Sequence, residues 1–339
     1  LPPLFAALAR NLLNVFPSQC IALSKRSVTL CLSVGGLSDR EGQAMSDLTG
    51  IDEFLRSESL PASYCQQVDQ YFLPFIQRWL AVELSAPKVL GIHGAQGSGK
   101  STLAAFYQWY LRRHCGKRVA CLSLDDFYLP RGERLRLGSH QHPLLATRGV
   151  PGTHDLPLAL GTLEDLRAGR PTALPRFDKA RDDRCEVVDW PRVGAVDVII
   201  LEGWCLGVPP QAESELADPI NALEAEEDSD GRWRRWVNDQ LAGSYQQLFA
   251  ELDCLLMLKA PSFDCVASWR EEQEQKMAAR RADDDSAHFM SSAEILRFVS
   301  HYERLTRHAL SVLPARADAV MTMDERRSIV SLSYKGSPG

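Results

Sequence analysis

The feature that most constrains this chain is a glycine-rich run of eight residues between an apolar segment and a helical one. The run reads Gly94-Ala95-Gln96-Gly97-Ser98-Gly99-Lys100-Ser101 and fits the pattern G-x-x-x-x-G-K-[ST]. The short apolar segment before it, residues 89–92, predicts a buried parallel strand. After it, apolar residues recur at helical spacing over residues 103–113. Strand, glycine turn and helix in this order predict a phosphate-binding loop.

Each part of this run suits the binding of a polyphosphate. Glycines let backbone N–H groups turn inward around phosphates, and the start of a helix adds a partial positive charge. Lys100 is expected to reach the β- and γ-phosphates, and the Ser101 hydroxyl is expected to hold Mg²⁺. The predicted nucleotide-binding residues are Gly94, Ala95, Gln96, Gly97, Ser98, Gly99, Lys100, Ser101 and Thr102.

Apolar segments alternate with helical ones along the rest of the chain. The further predicted strands cover residues 119–124, 196–201, 253–259 and 319–323. This alternation is typical of an α/β fold in which helices cover both faces of a mostly parallel sheet. In such sheets ligands bind beyond the carboxyl ends of the strands. Residues 209–231 are acidic and are predicted to form a solvated loop.

The first 44 residues differ in composition from the rest, with acidic residues only at Asp39 and Glu41. One interpretation is an organelle transit segment, which would be basic, rich in hydroxyl groups and poor in acids. The other is upstream sequence added by a misassigned start, with Met45 as the initiator. The second is favoured, because the segment lacks a sustained arginine-rich amphipathic pattern. We expect disorder in residues 1–44 and a domain built around the phosphate-binding loop in residues 45–339, which begins with helices and has a lid insertion around residues 262–291.

Composition excludes several classes of partner. The net charge is −6 without a basic stripe, which predicts no nucleic-acid partner. No apolar run has the length of a membrane span, so no membrane partner is expected. The nine cysteines include no C-x-x-C pair, which indicates reduced thiols and a cytoplasmic location. The oligomeric state stays open.

Two carboxylates follow predicted strands and suit phosphoryl transfer. Asp125 is predicted to accept the proton of a substrate hydroxyl as general base, and Asp126 is its rival for that role. Glu202 can face Ser101 across the crevice and hold Mg²⁺, directly or through water. Gly203 beside it leaves room for close approach.

Two segments with basic residues are candidates for the acceptor pocket. Arg148, His154 and Asp155 lie in a Gly- and Pro-rich loop of the kind that closes on a small polar ligand. Lys179 follows Arg176 in a second segment, for which a surface turn is the alternative. Arg148, Lys179 or His154 would hold the carboxylate of an acidic acceptor. For His154, a structural hydrogen bond is the alternative.

A charged helix is predicted from residue 265 to about residue 282. Arg270, or one of Arg280 and Arg281, would reach the phosphates from a lid and stabilise the equatorial oxygens. The alternative is an exposed helix with pairs such as Arg270–Glu274 at i,i+4.

Three of these motifs together resemble the P-loop small-molecule kinases, a group that includes uridine kinase, phosphoribulokinase and bacterial pantothenate kinase. The motifs are residues 94–101, Leu124-Asp125-Asp126-Phe127-Tyr128 and Leu201-Glu202-Gly203. Four further runs look most like plant-type D-glycerate 3-kinase and its bacterial and fungal relatives: residues 148–155, 201–207, 221–224 and 269–274. The resemblance covers about residues 50–330.

The resemblance implies the P-loop NTPase fold with a helical lid, and it implies ATP and Mg²⁺ as cofactors. It places Asp125 as general base, Lys100 and Ser101 at ATP and Mg²⁺, and Glu202 at the metal. It also favours a lid arginine, for which we choose Arg270 as a catalytic residue. Tyr128 belongs to the same motif as Asp125 and is placed at the acceptor.

The function expected is therefore ATP-dependent phosphorylation of a hydroxyl group of a small organic acid, with D-glycerate as the leading acceptor. One alternative is a kinase for pantothenate, a nucleoside or a sugar phosphate; the lack of Phe, Trp and Tyr in residues 138–155 disfavours a nucleoside. The other alternative is an ATP-binding assembly factor with little kinase activity. Asp125 argues against that alternative, because binding alone needs no base.

Overall fold

The computed structural model describes residues 48–82, 87–280 and 292–336. The predicted leader, residues 1–44, and residues 281–291 of the predicted lid lie outside the described residues. The helices are α1 (Ile51–Ser57), α2 (Tyr64–Gln67), α3 (Leu73–Ala81), α4 (Lys100–Arg113), α5 (Arg131–His140), α6 (Leu156–Arg167), α7 (Ala222–Glu227), α8 (Arg232–Gln240), α9 (Gln246–Ala250), α10 (Phe263–Arg280) and α11 (Ser292–Val312). The strands are β1 (Lys88–Gly94), β2 (Val119–Ser123), β3 (Thr172–Ala173), β4 (Phe177–Asp178), β5 (Asp183–Arg184), β6 (Arg192–Val193), β7 (Val198–Gly203), β8 (Cys254–Lys259), β9 (Ala319–Met323) and β10 (Ile329–Tyr334).

A six-stranded sheet in the order β10-β9-β8-β1-β7-β2 forms the centre of the fold. Strands β9, β8, β1, β7 and β2 pair in parallel, and β10 pairs antiparallel with β9 at the edge. The α/β fold with a mostly parallel sheet is thus confirmed. Strand β1 lies between β7 and β8, so the glycine-rich loop that follows β1 emerges at the middle of the carboxyl edge.

The sheet has an apolar core on each face, as alternate residues of β1 show. Leu90 and Ile92 pack with Phe106 of α4 in one core. Val89 packs with Leu201 of β7 in the other. Side chains of a strand alternate between faces, and a strand covered on both sides reads as a continuous apolar run. The buried core therefore fixes β1 and, with it, the loop that leaves its end.

Three parts of the chain differ from the sequence predictions. The antiparallel edge strand β10 and helix α5 were not foreseen. Within the acidic segment, Glu224 is fully buried and accepts two hydrogen bonds from Arg304, at 2.7 and 2.6 Å. The prediction of a solvated loop is wrong there, because a cation 80 residues away neutralises the carboxylate.

Within the ranges described, no helix combines the length and the apolar character needed to cross a membrane.

Candidate active site

The glycine-rich loop connects β1 directly to α4. Its backbone takes the left-handed region at Gly97 (φ 75°) and at Gly99 (φ 84°), which non-glycine residues rarely adopt. A Cβ atom at position 97 would lie 2.8 Å from Cβ of Trp269 on α10. The loop is therefore a close-packed backbone turn against the base of the predicted lid helix.

The start of α4 has the properties of an anion site. Gly99 occupies its N-cap position without a side-chain capping bond. The N–H groups of Lys100, Ser101 and Thr102 thus precede the first intrahelical bond, which runs from Leu103 N–H to the Gly99 carbonyl at 2.9 Å. The Ser98 hydroxyl is buried without a partner among the described residues. These unpaired polar groups fit a polyphosphate.

Glu202 and Ser101 meet across the crevice, as predicted from the sequence. The register of β7 sets Glu202 opposite Ile92 of β1, and the Ser101 hydroxyl donates to its Oε1 at 2.9 Å. Lys100 Nζ lies 3.8 Å from Oε2, which is buried and has no hydrogen-bond partner in the described part of the chain.

A hydroxyl and a carboxylate at this separation fit Mg²⁺, which keeps several waters and binds one or two protein oxygens together with phosphate oxygens. No cluster of three or more His, Cys, Asp or Glu side chains suited to a metal occurs within the described ranges. With Mg²⁺ bound there, Ser101 and Glu202 would supply part of the coordination shell, and waters and phosphate oxygens would supply the rest.

Asp125 lies just after β2, in the 3₁₀ turn Leu124–Phe127. Its Oδ1 accepts a hydrogen bond from the Tyr128 hydroxyl at 2.9 Å, and its Oδ2 accepts one from Lys179 Nζ at 2.7 Å. Burial alone would raise the pKa of Asp125, but the charges of Lys179 and Lys100 hold it well below its usual range. The carboxylate is therefore ionised and able to accept a proton.

Asp126, the rival base, faces a different set of partners. Its Oδ2 accepts from Arg176 at 3.1 Å, and its Oδ1 accepts the N–H of Phe177 at 3.2 Å. Burial raises the pKa of Asp126 above its ordinary value. These contacts tie Asp126 to the start of the β4–β5 hairpin.

The β4–β5 hairpin, residues 177–184, contains Lys179 and pairs through Asp182 with Arg148, two of the cations predicted for the acceptor pocket. Lys179 is 61% exposed at its side chain although it pairs with Asp125, so a ligand can reach it. Arg148 pairs with Asp182, and its guanidinium carbon lies 5.6 Å from the centre of the Phe177 ring. The structure thus brings Asp125, Lys179 and Arg148 close together, since Arg148 Nη2 also lies 3.5 Å from the Lys179 carbonyl.

His154 lies behind Tyr128 and is 5% exposed. The two rings stack with centroids 4.5 Å apart, and His154 Nδ1 is 2.6 Å from the Tyr245 hydroxyl. Burial lowers the pKa of His154 to about 4, so the ring is neutral near pH 7. Its Nε2 is buried without a partner among the described residues.

The carboxylate of Asp155 accepts hydrogen bonds from two different segments of the described chain. Its Oδ1 accepts the N–H of Leu158 at the start of α6, and its Oδ2 accepts from Arg184 at 3.0 Å. Arg184 also donates to the Tyr128 carbonyl at 2.9 Å. Asp155 therefore connects α6 to the hairpin; its predicted contact with the acceptor stays a prediction.

The backbone of the 148–155 loop is fixed from three directions. Trp204 Nε1 donates to the Gly149 carbonyl at 3.0 Å, and the Tyr302 hydroxyl donates to the Arg148 carbonyl at 3.1 Å. The Gly152 N–H donates to the Tyr245 hydroxyl at 2.9 Å. These hydrogen bonds hold the loop backbone against the end of β7, α11 and the segment around Tyr245.

Arg270 is next to Trp269, which packs on the glycine-rich loop. Its guanidinium carbon lies 5.5 Å from the centre of the Phe298 ring. Trp269 is 3% exposed and donates from Nε1 to the Glu325 carbonyl at 2.7 Å. The base of the lid helix is thus anchored beside the loop, while a phosphate contact by Arg270 stays a prediction.

Sequence reasoning did not identify Asp182 or Tyr245. Asp182 adopts a positive φ of 54°, and no local sequence pattern predicts this conformation. Tyr245 lies 91 residues from His154, so their contact exists only in the folded chain.

No protein-family model matches the chain. A kinase of Schizosaccharomyces pombe, described as an uncharacterized kinase, is 34% identical over 232 residues, which are 64% of this chain and 78% of that protein. The chloroplastic D-glycerate 3-kinase of Arabidopsis thaliana is 34% identical over 227 residues; the match covers 64% of this chain and 46% of the plant protein.

A solved structure supports the same relationship. D-glycerate 3-kinase from Cryptococcus neoformans superposes with a TM-score of 0.65 at 25% identity. The superposition covers 81% of this chain and 100% of the fungal one.

Proposed function

We propose that this chain, which belongs to the family of P-loop small-molecule kinases that includes the fission-yeast kinase and D-glycerate 3-kinase, transfers the γ-phosphoryl group of ATP to the 3-hydroxyl of D-glycerate. The observation that carries the proposal is the contact between Asp125 and Lys179, at 2.7 Å, in the pocket that also holds Arg148. This contact sets a base for the acceptor's hydroxyl group, Asp125, beside a cation for the acceptor's carboxylate, Lys179.

The chemistry divides between the two sides of the crevice. In our proposal Asp125 takes the proton of the attacking hydroxyl, and Lys100 neutralises charge on the transferring group. Ser101 and Glu202 would hold Mg²⁺, which supplies further neutralisation of phosphate oxygens. Arg270 is the proposed lid residue for the equatorial oxygens.

The acceptor's carboxylate is assigned to Lys179 and Arg148. Both cations already pair with carboxylates of the protein, Asp125 and Asp182. An acidic acceptor would therefore draw Lys179 away from Asp125 and leave the base free to bond the hydroxyl. This exchange favours an anionic acceptor over a neutral alcohol.

Tyr128, His154 and Asp155 complete the proposed acceptor pocket. Tyr128 orients Asp125 through its hydroxyl, and His154 supports the Tyr128 ring and offers a neutral ring edge to the ligand. Asp155 acts through Arg184, which holds the Tyr128 backbone.

We place the reaction in the cytoplasm, because the cysteines within the described ranges are all free thiols. This is the compartment in which such thiols persist.

The experiment that tests the proposal is ADP release by the full chain with Mg-ATP and a panel of acceptors. The panel contains D-glycerate, L-glycerate, pantothenate, uridine and ribulose 5-phosphate. We expect turnover well above the ATPase background with D-glycerate. Turnover with another member alone would keep the kinase and replace the acceptor, and ATP binding without turnover of any member would favour the assembly-factor alternative.

A further inference from the structure

We infer that Tyr245 is a positioning residue of the acceptor pocket: its hydroxyl group fixes the hydrogen of His154 on Nε2, and from there the ring donates a hydrogen bond to an oxygen of the acceptor. The inference rests on the proposed function and adds to it the residue that decides which form of His154 meets the ligand.

The Tyr245 hydroxyl has two partners, and both belong to the 148–155 loop. Its oxygen accepts the Gly152 N–H at 2.9 Å and lies 2.6 Å from His154 Nδ1. Tyr245 is 1% exposed and is the last residue of the π-helical turn Leu241–Tyr245, between α8 and α9. A buried side chain from a separate element therefore meets the loop at one backbone group and one ring nitrogen.

The hydrogen bonds of this hydroxyl determine the tautomer of His154. A backbone N–H can only donate, so the hydroxyl oxygen accepts from Gly152 and its own hydrogen needs an acceptor. Within the described ranges His154 Nδ1 is the remaining partner, so it accepts that hydrogen. In the opposite tautomer, Gly152 and Nδ1 would both donate to the oxygen, and the hydroxyl hydrogen would be buried unpaired, which costs free energy.

The hydrogen of the His154 ring is therefore on Nε2. Burial lowers the pKa of His154 to about 4, so near pH 7 the ring is neutral and carries one hydrogen. Nδ1 accepts from Tyr245, which leaves Nε2 as the donor. Nε2 is buried without a hydrogen-bond partner in the described part of the chain. A donor enclosed in this way needs an acceptor, which a bound ligand can supply.

Contacts place His154 beside the proposed base. Its ring stacks on the Tyr128 ring with centroids 4.5 Å apart, and the main chains of the two residues form an isolated antiparallel bridge. The Tyr128 hydroxyl donates to Asp125 Oδ1 at 2.9 Å. Burial lowers the pKa of His154, and the charge of Asp125 partly offsets this effect. One aromatic ring thus separates His154 from the carboxylate that would receive the proton of the acceptor.

A neutral donor suits this position better than another cation would. Lys179 and Arg148 are the cations assigned to the carboxylate of the acceptor, and Lys179 already pairs with Asp125. A charged imidazolium would add a further positive charge near Asp125 and weaken it as a base. The neutral Nε2–H holds an acceptor oxygen without that effect, and Tyr245 maintains the form of the ring that can do so.

The first test locates the hydrogen of His154 and needs no substrate. Nitrogen-15 NMR of the histidine-labelled full chain at pH 7 is expected to show it on Nε2, with the resonances assigned by their loss in His154→Gln. In Tyr245→Phe, a measurable share of the hydrogen should move to Nδ1, because the group that donates to Nδ1 is gone. A wild-type ring with its hydrogen on Nδ1 overturns the inference.

The same spectra test the contact with the acceptor. The Nε2 resonance of the wild-type chain should shift when D-glycerate is added to saturation, since Nε2–H then gains an oxygen partner. An Nε2 resonance that D-glycerate leaves unchanged overturns the inference.

The second test is a double-mutant cycle on activity. Tyr245→Phe should raise KM for D-glycerate by about 5- to 10-fold and leave KM for ATP within about 2-fold, because the affected donor belongs to the acceptor pocket. His154→Gln offers an amide N–H that does not depend on a tautomer. In that background, Tyr245→Phe should change KM for D-glycerate by less than about 2-fold. Equal effects of Tyr245→Phe in both backgrounds would assign its role to the Gly152 bond alone and overturn the inference.

Tyr107→Phe is the matched control. Tyr107 is also fully buried, in the core around α4, and its hydroxyl has no hydrogen-bond partner within the described ranges. The control should leave KM for both substrates unchanged. If Tyr245→Phe does not fold, the spectra of the wild-type chain decide. Absence of D-glycerate turnover by the wild-type chain would count against the proposed function, whereas the tautomer of His154 in the free chain is measured independently of turnover.

Discussion

The nucleotide side and the acceptor side of the crevice are built in different ways. The nucleotide side is mostly one stretch of backbone, residues 94–102, joined by a single side chain from β7, Glu202. The acceptor side consists of side chains from separate parts of the chain: the turn after β2, the 148–155 loop and the β4–β5 hairpin. In our proposal a local backbone site defines the reaction class, whereas a site assembled by tertiary contacts defines the acceptor.

The two sides also differ in how their polar atoms are paired before any ligand binds. Ser98 Oγ and Glu202 Oε2 on the nucleotide side are buried without a hydrogen-bond partner in the described part of the chain, and Lys100 Nζ lies 3.8 Å from Oε2. On the acceptor side, Asp125 pairs with Lys179 and Arg148 pairs with Asp182. In our proposal the nucleotide side is thus preorganised, and binding of the acceptor exchanges existing ion pairs for new ones.

The largest effect is expected from Asp125→Asn, which keeps the shape of the side chain and removes the base. kcat should fall by about 10²- to 10⁴-fold, while KM for ATP stays near the wild-type value. Initial rates with D-glycerate measure both constants. Asp126→Asn is the comparison variant: a larger loss there than in Asp125→Asn would reverse the assignment of the base.

The next largest effect is expected on stability. Glu224 lies outside both sides of the crevice, and Glu224→Gln should destabilise the fold. The variant leaves Arg304 buried with its charge uncompensated, so the free energy of unfolding should fall by about 3–5 kcal/mol. Glu227→Gln breaks an exposed pair with Arg297 and should cost less than about 1 kcal/mol. Denaturant unfolding measures both; equal losses would show that burial does not decide the strength of these pairs.

Lys179→Met should act on the acceptor side alone. Loss of a charge-assisted hydrogen bond is expected to raise KM for D-glycerate by about 10- to 100-fold and to leave KM for ATP unchanged. Lys117→Met, at an exposed lysine, is the control. A comparable rise in KM for ATP would contradict the division of the crevice into two sides.

Lys179→Met should also change the pH dependence of kcat/KM. Lys179 opposes the effect of burial and lowers the pKa of Asp125, so its removal should raise that pKa. A group with a lowered pKa is ionised until the pH falls through that lower value. The acidic limb of kcat/KM should therefore move to higher pH in Lys179→Met; an unmoved limb would show that Asp125 is not the titrating base.

The smallest effects come from two glycine variants that compare the sides directly. A Cβ at position 97 would meet Trp269, and one at position 152 would lie 2.2 Å from the Trp236 ring. Gly97→Ala should raise KM for ATP, and Gly152→Ala should raise KM for D-glycerate, each by about 10-fold or less. Gly116→Ala has positive φ but open space around its Cβ and is the control for backbone strain.

The sequence predicts the nucleotide side better than the acceptor side for a physical reason. The loop from Gly94 to Ser101 is contiguous, and the strand that ends at Glu202 follows from its apolar run. The pairing of Arg148 with Asp182 depends on the path of the hairpin, which a linear pattern does not contain. The burial of Glu224 depends in the same way on Arg304, which approaches from α11.

The most direct test of the central claim compares D-glycerate with glycerol, which has the hydroxyls but no carboxylate. Initial rates give kcat/KM for both acceptors in the wild-type chain and in Lys179→Met. An acceptor side that selects an anion predicts a wild-type preference for D-glycerate of at least about 10-fold, which shrinks in the variant. Equal use of the two acceptors by the wild-type chain, or a preference that survives unchanged in Lys179→Met, would contradict it.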